Sequence, residues 1–290
     1  MKYLLLIFFV IICNLAHGQI GMAINEIAKD GINGFQAQYR TVVIVVRSSN
    51  GKDTIQNIGC GFILKNEYLA TCYHVYKNNP SYTPIQVKVY YNINSKHKPT
   101  NLIFLADSVF ATLDYKPKRG QYNFKRHIYN GDMASDFIIL RLLKKVKAVQ
   151  ANFDLGNILI GQDLLSTGLT VDRKGIDNIE YAKFWSSSGT VYSLDSLKGG
   201  NINIKTYGFV KHGYSGSPVF NKNGMIVGMV QEGIMPDKAK GEVKWLLSKS
   251  EITQPQSKLI LKFLEDNTDG SLGYSTKINY LFYKYMGHYY

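Results

Sequence analysis

Short runs of β-branched and aromatic residues, separated by turn-forming residues, dominate the hydrophobic pattern of the chain. Such runs favour strands, because their side chains fit a pleated, half-buried surface. The predicted strands are residues 41–47, 61–64, 68–71, 86–91, 137–142, 201–205, 219–220 and 225–229, with a tight hairpin at Asn223-Gly224 between the last two. Helical patterns are confined to residues 21–29, 256–265 and 278–285. The chain is therefore predicted to be all-β, a sandwich or a barrel, with helices near its ends.

The first residues have the pattern of an export signal. Lys2 precedes an apolar run at 3–13, and residues 16–18 (Ala-His-Gly) form a small-x-small cleavage sequence. A membrane anchor is the alternative, but the run is well short of the roughly 20 residues that cross a bilayer. A lipid anchor at Cys13 is weaker still, since a bulky residue precedes it. We predict a signal peptide at 1–18 and a secreted or periplasmic mature chain without a membrane span.

Composition limits the classes that remain. The chain has 290 residues, 45% of them hydrophobic, and three cysteines, which argues against disorder and against a disulfide-dense scaffold. The net charge of +13 could attract nucleic acid, but the basic residues are scattered, so we expect a solvated surface and no specific nucleic-acid partner. At roughly 150 residues per domain, the length allows two small domains. The basic stretch at 144–150 is the predicted crossing between them.

Export changes the interpretation of Cys60 and Cys72, because disulfides persist outside the cytosol. The two cysteines flank a predicted hairpin tip at 65–67, and pairing the flanking strands about that tip places them opposite each other. A cross-strand disulfide is therefore geometrically allowed. Two buried free thiols are an equally good interpretation.

The stretch from Gly213 to Val219 (GYSGSPV) is the most informative in the sequence. Glycines on both sides of Ser215 allow a tight turn, in which the serine side chain projects and backbone amides converge on one point. Such a turn can present Ser215 as a nucleophile, with the amides of Gly213 and Ser215 as an oxyanion hole. An ordinary Gly/Ser loop is the alternative.

Two upstream residues could complete a nucleophilic site. His74 follows the apolar strand at 68–71, and an imidazole titrates near neutrality, as a base for serine must. Asp136 precedes the apolar strand at 137–142, where a carboxylate is costly to bury unless it is paired. It could orient His74 through Nδ1. Taken singly, each is better interpreted as structural; together, their order in the chain (His, Asp, Ser) differs from that of α/β-hydrolases.

These motifs resemble those of the secreted bacterial trypsin-fold (chymotrypsin-like) serine proteases, closest to the glutamyl-endopeptidase and high-temperature-requirement branches. The resemblance covers about 41–285 and rests on GCGFIL, LATCYHV, SDFIILRL, GYSGSPVFNKNGMIVGM and GYSTKI. It implies two perpendicular antiparallel β-barrels with the catalytic residues His74, Asp136 and Ser215 in the cleft between them. We expect an N-terminal extension at 19–40, a first β-barrel at 41–150, and a second at 151–290 with a C-terminal helix.

The chain departs from digestive members of that family at several positions. Tyr214 stands where they carry an aspartate that pairs with a new N-terminus, and a phenol cannot form that ion pair at neutral pH. An insertion at 234–268 precedes the GYSTKI strand and contains one predicted helix. By alignment the resemblance places the substrate pocket at Phe209, Val210, Val230, Gln231 and Gly233. The absence of an acid at 209 and of a histidine at 230 favours a small or apolar side chain before the scissile bond.

The resemblance implies a secreted serine endopeptidase that acts on protein or peptide substrates through an acyl-enzyme. A catalytically weak or inactive protease fold that binds peptides is the alternative, and an esterase on the same site is a third. We expect no cofactor and no metal in catalysis. The sequence leaves the oligomeric state open.

Overall fold

The computed structural model describes residues 34–65, 67–91, 107–110, 136–170, 183–196, 202–208 and 210–290. The predicted signal peptide at 1–18 and the predicted helix at 21–29 lie outside the described residues. So does Phe209, one of the predicted pocket residues.

The first half of the chain forms an antiparallel 6-stranded sheet in the order β5-β4-β1-β2-β3-β6, curled into a half-barrel. Apolar side chains of β1 and β2 form the centre of its core, because β1 carries an almost continuous β-branched run and β2 contributes the buried Phe62, Ile63 and Leu64. The strands are β1 (Val42–Ser49), β2 (Thr54–Lys65), β3 (Tyr68–Thr71), β4 (Thr83–Tyr91), β5 (Asp107–Phe110) and β6 (Ile138–Arg141).

The second half forms a closed antiparallel barrel in the order β10-β11-β12-β9-β8-β7. Register shifts interrupt β8 beside Tyr192 and β11 beside Gln231, as β-bulges do where a strand bends around a barrel. The strands are β7 (Asp163–Thr170), β8 (Lys183–Ser196), β9 (Ile202–Gly208), β10 (Pro218–Phe220), β11 (Ile226–Ile234) and β12 (Ser271–Lys277). The predicted two-barrel, all-β fold is confirmed.

Helices occupy the connections and the end of the chain. They are α1 (Gly34–Tyr39), α2 (Tyr73–Tyr76), α3 (Pro236–Ser248), α4 (Gln254–Asp266) and α5 (Ile278–Leu281), and α5 continues as a π-helical turn at Phe282–Met286. The C-terminal segment packs its aromatic rings on the first sheet, with Phe137 and Tyr285 5.3 Å apart between centroids. None of the described helices is long and apolar enough to cross a bilayer.

The insertion at 234–268 contains two helices, whereas the sequence predicted only the second. Pro236 sits in the first turn of α3, where its missing N–H costs nothing, and Thr253 with Gln256 forms a capping box that starts α4. Both helices bury one apolar face against the outside of the second barrel, in a cluster that includes Tyr192, Leu246 and Leu272. The insertion is therefore a folded layer on that barrel.

Three contacts join the halves on the side of α1. Helix α1 packs against β7 and β8, the Arg40 guanidinium donates to the carbonyl oxygen of Gly224, and the Thr41 and Thr167 hydroxyls lie 2.6 Å apart. The segment just before β1 thus lies on the second barrel, although β1 itself belongs to the first sheet. The domain boundary near residue 150 stays a prediction.

Candidate active site

The turn that carries Ser215 is built from two left-handed glycines. Gly213 has φ +94° and Gly216 has φ +86°, a region that L side chains rarely adopt. A Cβ on Gly216 would lie 2.1 Å from the carbonyl oxygen of Cys60, so this position also lacks room for a side chain. The glycines predicted from the sequence are thus required by the backbone here.

Hydrogen bonds hold the same turn against the first sheet and against β11. The Cys60 amide donates to the carbonyl oxygen of Ser215 at 2.8 Å, and the Gly216 amide donates to the carbonyl oxygen of Val230 at 2.8 Å. Within the described residues, the amides of Gly213 and Ser215 donate to no protein group. These two donors, predicted to form an oxyanion hole, remain available to a ligand on a fixed turn.

His74 and Asp136 come from neighbouring elements of the first sheet and bind each other directly. The buried side chains of Tyr73 and Val75 anchor α2, which leaves the His74 imidazole 20% exposed beside a fully buried Asp136 carboxylate. The two oxygens of Asp136 accept from the His74 backbone amide at 2.8 Å and from Nδ1 at 2.5 Å. Both contacts fix the imidazole ring, so its other nitrogen, Nε2, is the one left for chemistry.

The electrostatic surroundings favour the charged form of His74. Burial by itself lowers the pKa of this imidazole, but the charge of Asp136, its hydrogen bond and the charge of Glu232 raise it. The net result is a pKa above the ordinary value of 6.5. A proton accepted by His74 is therefore stabilised where it would be needed during acyl transfer.

Gln231 connects Ser215 to the His74–Asp136 pair. Its carbonyl oxygen accepts from the Ser215 hydroxyl at 3.4 Å. Its side-chain amide, oriented so that nitrogen faces the carboxylate, donates to the carbonyl oxygen of Asp136 at 3.0 Å and to Oδ2 at 3.1 Å. The bulge at this point of β11 lets one residue reach both partners.

The backbones around Ser215 and His74 also approach each other closely. A Cβ on Gly59 would lie 2.4 Å from the side chain of Val75 and 3.0 Å from the carbonyl oxygen of Ser215. The residue after His74 and the turn of Ser215 therefore pack on the same point of β2. Residues from the first sheet and from the second barrel meet there.

A family comparison matches this arrangement. The sequence model of the trypsin-like peptidase domain matches residues 59–229, which is more than half of the chain and includes all three predicted catalytic residues. The chain belongs to the trypsin-like peptidase family. Among solved structures, it is similar to the active form of the Rv3671c protease from M. tuberculosis, at 19% identity and a TM-score of 0.47, over 75% of this chain and 83% of that one. No curated protein matches the chain.

The predicted pocket residues of this peptidase domain separate into different surroundings. Val210 and Val230 line a small cavity, with room for about one water molecule, together with several hydroxyl side chains of the barrel. Gly233 packs closely on Val210, since a Cβ there would lie 2.9 Å from a Val210 methyl group. Gln231 does not line this cavity, because its side chain is bound to Asp136.

Tyr214 is buried in the second barrel of the peptidase domain. Its ring lies in the cluster with Leu164 and Val191, and its hydroxyl interacts with Ser187. Burial raises the pKa of this phenol, so Tyr214 stays neutral. The side chain acts as part of the core beside the nucleophile turn.

The two cysteines are buried free thiols, which is one of the two alternatives that the sequence left open; no disulfide joins them. The Cys60 thiol donates to the carbonyl oxygen of Gly213 at 3.4 Å, and the Cys72 thiol donates to that of Val230 at 3.2 Å. Burial, followed by the charge of Asp136, raises the pKa of Cys72 well above its ordinary value. Both thiols thus support the turn and β11 as hydrogen-bond donors.

Cys72, His74 and Asp136 also bring their ligand atoms within 4.8 Å of one another, a spacing that could hold a metal ion. The geometry does not favour one. His74 and Asp136 are hydrogen-bonded to each other, and a metal-binding thiolate would have to form at Cys72, whose pKa is raised. We interpret the three residues as part of the hydrogen-bonded site.

Sequence reasoning missed Glu232, which lies between two predicted pocket residues. Burial raises the pKa of this carboxyl group to about 7, the charge of His74 lowers it, and Glu242 and Asp136 raise it further. A signal existed in the sequence: Glu232 is an acid two residues after the end of the apolar run at 226–230. Its proximity to His74 could not be predicted, because it depends on how the two halves are joined.

Proposed function

We propose that the chain is an exported serine endopeptidase that cleaves protein or peptide substrates through an acyl-enzyme. One observation carries the proposal: a buried Asp136 fixes His74 through two hydrogen bonds, next to a glycine turn that presents Ser215. Nucleophile, base and orienting acid are the parts that acyl transfer by serine requires. Export is proposed from the sequence pattern at 1–18.

The mechanism assigns one role to each residue. Ser215 Oγ attacks the scissile carbonyl carbon while His74 takes its proton, and the amides of Gly213 and Ser215 bind the resulting oxyanion. His74 then gives the proton to the leaving amine, so the peptide bond breaks and the acyl group stays on Oγ. A water molecule, activated by His74, releases the acid and restores Ser215.

The Ser215 hydroxyl must turn before the first step. It donates to the carbonyl oxygen of Gln231 at the long distance of 3.4 Å, which is a weak bond to give up. Catalytic hydrogen bonds are often long without substrate and tighten in the complex. A rotation about χ1 when substrate binds is therefore part of the proposed mechanism.

The cavity beside the turn suggests the side chain that precedes the scissile bond. Its lining is uncharged, with Val210, Val230 and hydroxyl groups such as those of Ser187 and Ser275. Among the described residues, no charged one lines it, so a Lys, Arg, Asp or Glu side chain would lose its hydration without gaining a partner from them. We propose a preference for small uncharged or apolar side chains at this position.

Active-site labelling tests the function directly. A fluorophosphonate should label the folded protein once, at Ser215, and Ser215→Ala should lose labelling and reduce kcat/KM on a cleaved peptide by about a thousandfold or more. Ser217→Ala is the matched control. The Ser217 hydroxyl lies close to Ser215 in the chain but is fully buried, so it cannot reach a substrate. Equal labelling of wild type and Ser215→Ala would contradict the proposal.

A peptide-binding protein without catalysis is the second candidate. The bond from the Ser215 hydroxyl to the carbonyl oxygen of Gln231 is the observation in its favour, because the hydroxyl points away from nucleophilic use as long as that bond is kept. This candidate predicts peptide binding that Ser215→Ala leaves unchanged, with no labelling by fluorophosphonate. An esterase would be labelled, and would hydrolyse esters without cleaving any peptide of a diverse library.

A further inference from the structure

Glu232 is an acid without a matching cation beside the proposed active site. It lies on β11 directly after Gln231, and its residue is partly exposed. In the described part of the chain, its carboxylate makes no hydrogen bond and no ion pair. A partly buried carboxylate in that state loses hydration and gains nothing from the protein in return.

The groups that face Glu232 leave the region negative. The charges that act on it are His74, Glu242 and Asp136, two of which are acids. His74 is bound to Asp136, and Glu242 accepts from the Tyr274 hydroxyl at 2.8 Å. Protonated His74 is the single cation among these groups. When His74 is neutral, none of them carries a positive charge.

The nearest cation in the sheet, Lys205, already forms two ion pairs. Lys205 lies on β9, across from Tyr274, which in turn pairs with Glu232 in the register of the barrel. The Lys205 ammonium is bound to Asp195 at 2.6 Å and to Glu251 at 2.7 Å. It is buried on the side of the insertion and does not neutralise the cleft.

We infer that Glu232 is a specificity-determining residue that binds a positively charged side chain of the substrate, lysine or arginine, close to the scissile bond. The inference rests on the proposed endopeptidase function. The charged side chain occupies a position other than the one before the scissile bond, because Glu232 does not line the uncharged cavity at Val210 and Val230. An ammonium or guanidinium group supplies the hydrogen bonds and the charge that the protein itself does not.

The experiment uses a set of peptides that share one cleaved bond and differ at a single flanking position. Each position on either side is occupied in turn by Lys, Arg, Gln or Glu, and kcat/KM is measured for wild type and Glu232→Gln. At one position, wild type should favour Lys or Arg over Gln by about tenfold or more, and Glu232→Gln should remove that preference while changing neutral peptides by about twofold or less. Glu265→Gln, an exposed acid on α4, is the charge-matched control and should keep the preference.

The pH dependence provides a second readout. We compare kcat/KM for the cationic peptide with kcat/KM for its neutral partner. The ionisation of His74 affects both values equally, so its effect cancels in their ratio. Because the pKa of Glu232 is about 7, this ratio should rise between pH 6 and pH 8 in wild type. It should stay flat in Glu232→Gln.

The outcomes separate this inference from the proposed function. Cleavage without a cationic preference at any flanking position, or an equal loss on neutral and cationic peptides in Glu232→Gln, overturns the role of Glu232 and leaves the endopeptidase intact. If wild type does not cleave, peptide Kd values measured on Ser215→Ala decide the point. Tighter binding of cationic peptides that depends on Glu232 supports the inference, and equal binding overturns it.

Discussion

Asp136→Asn is the substitution that tests the site most directly, because it changes one atom and keeps the shape of the side chain. The asparagine Oδ1 can still accept from the His74 backbone amide, which now lies 2.8 Å from the carboxylate. Its NH₂ group, however, takes the place of the oxygen that lies 2.5 Å from Nδ1. Two donors cannot face each other, so the imidazole must present a lone pair at Nδ1 and carry its proton on Nε2.

The expected cost follows from that tautomer. With Nε2 protonated, His74 cannot accept the proton of Ser215, and loss of an orienting aspartate in this arrangement reduces kcat by about 10⁴-fold, or about 5 kcal/mol in the barrier. The Gln231 amide, which donates to the same oxygen, loses its acceptor as well. We therefore also expect a loss of about 1–3 kcal/mol in the free energy of unfolding.

The assay is kcat/KM on a cleaved peptide together with the rate of fluorophosphonate labelling, with folding checked by urea unfolding. Asp154→Asn is the matched control. Asp154 is bound to Asn221 outside the site, so this substitution should leave activity unchanged. Loss of less than tenfold in folded Asp136→Asn would refute the assignment of Asp136 as the residue that orients His74.

Two further predictions concern the base and the turn. Because the pKa of His74 is raised above 6.5 and only the neutral imidazole accepts a proton, kcat/KM should fall tenfold per pH unit on the acid side, with its midpoint above pH 6.5; a midpoint below that value would contradict the paired environment. Gly216→Ala should lose labelling and at least about 2 kcal/mol of stability by urea unfolding, since it adds a backbone clash to the strain of a positive φ. Gly161→Ala, with φ +85° and open space around it, isolates the strain alone and should keep labelling.

The candidate site was predictable because each of its residues lies in a short motif that the sequence shows by itself. Glycines on both sides of Ser215 specify a turn, and the apolar runs beside His74 and Asp136 specify strands that end there. The order of these residues in the chain separated one fold from another. The pairing of His74 with Asp136 could be proposed from their chemistry and from that order, not from any spacing between positions 62 residues apart.

What the sequence did not predict depends on packing between distant segments. The first helix of the insertion, α3, has a weakly amphipathic pattern rich in Lys and Glu, so it looked like a loop. It is helical because Ala239, Val243 and Leu246 are buried against the barrel. The bond from the Gln231 side chain to Asp136 was not predicted either, because the bulge at this point of β11 has no signature in the order of residues.

The contacts of Arg40 and Thr41 have a consequence for how the chain is handled. A recombinant fragment trimmed to begin at β1 would keep every strand of both halves. It would lose the packing of α1 on β7 and β8 and the hydrogen bonds of Arg40 and Thr41. His74 and Asp136 belong to one half and Ser215 to the other, so α1 adds to the direct contacts at Cys60 and Gln231 that hold nucleophile and base together. Residues before the first strand thus help to join the two halves.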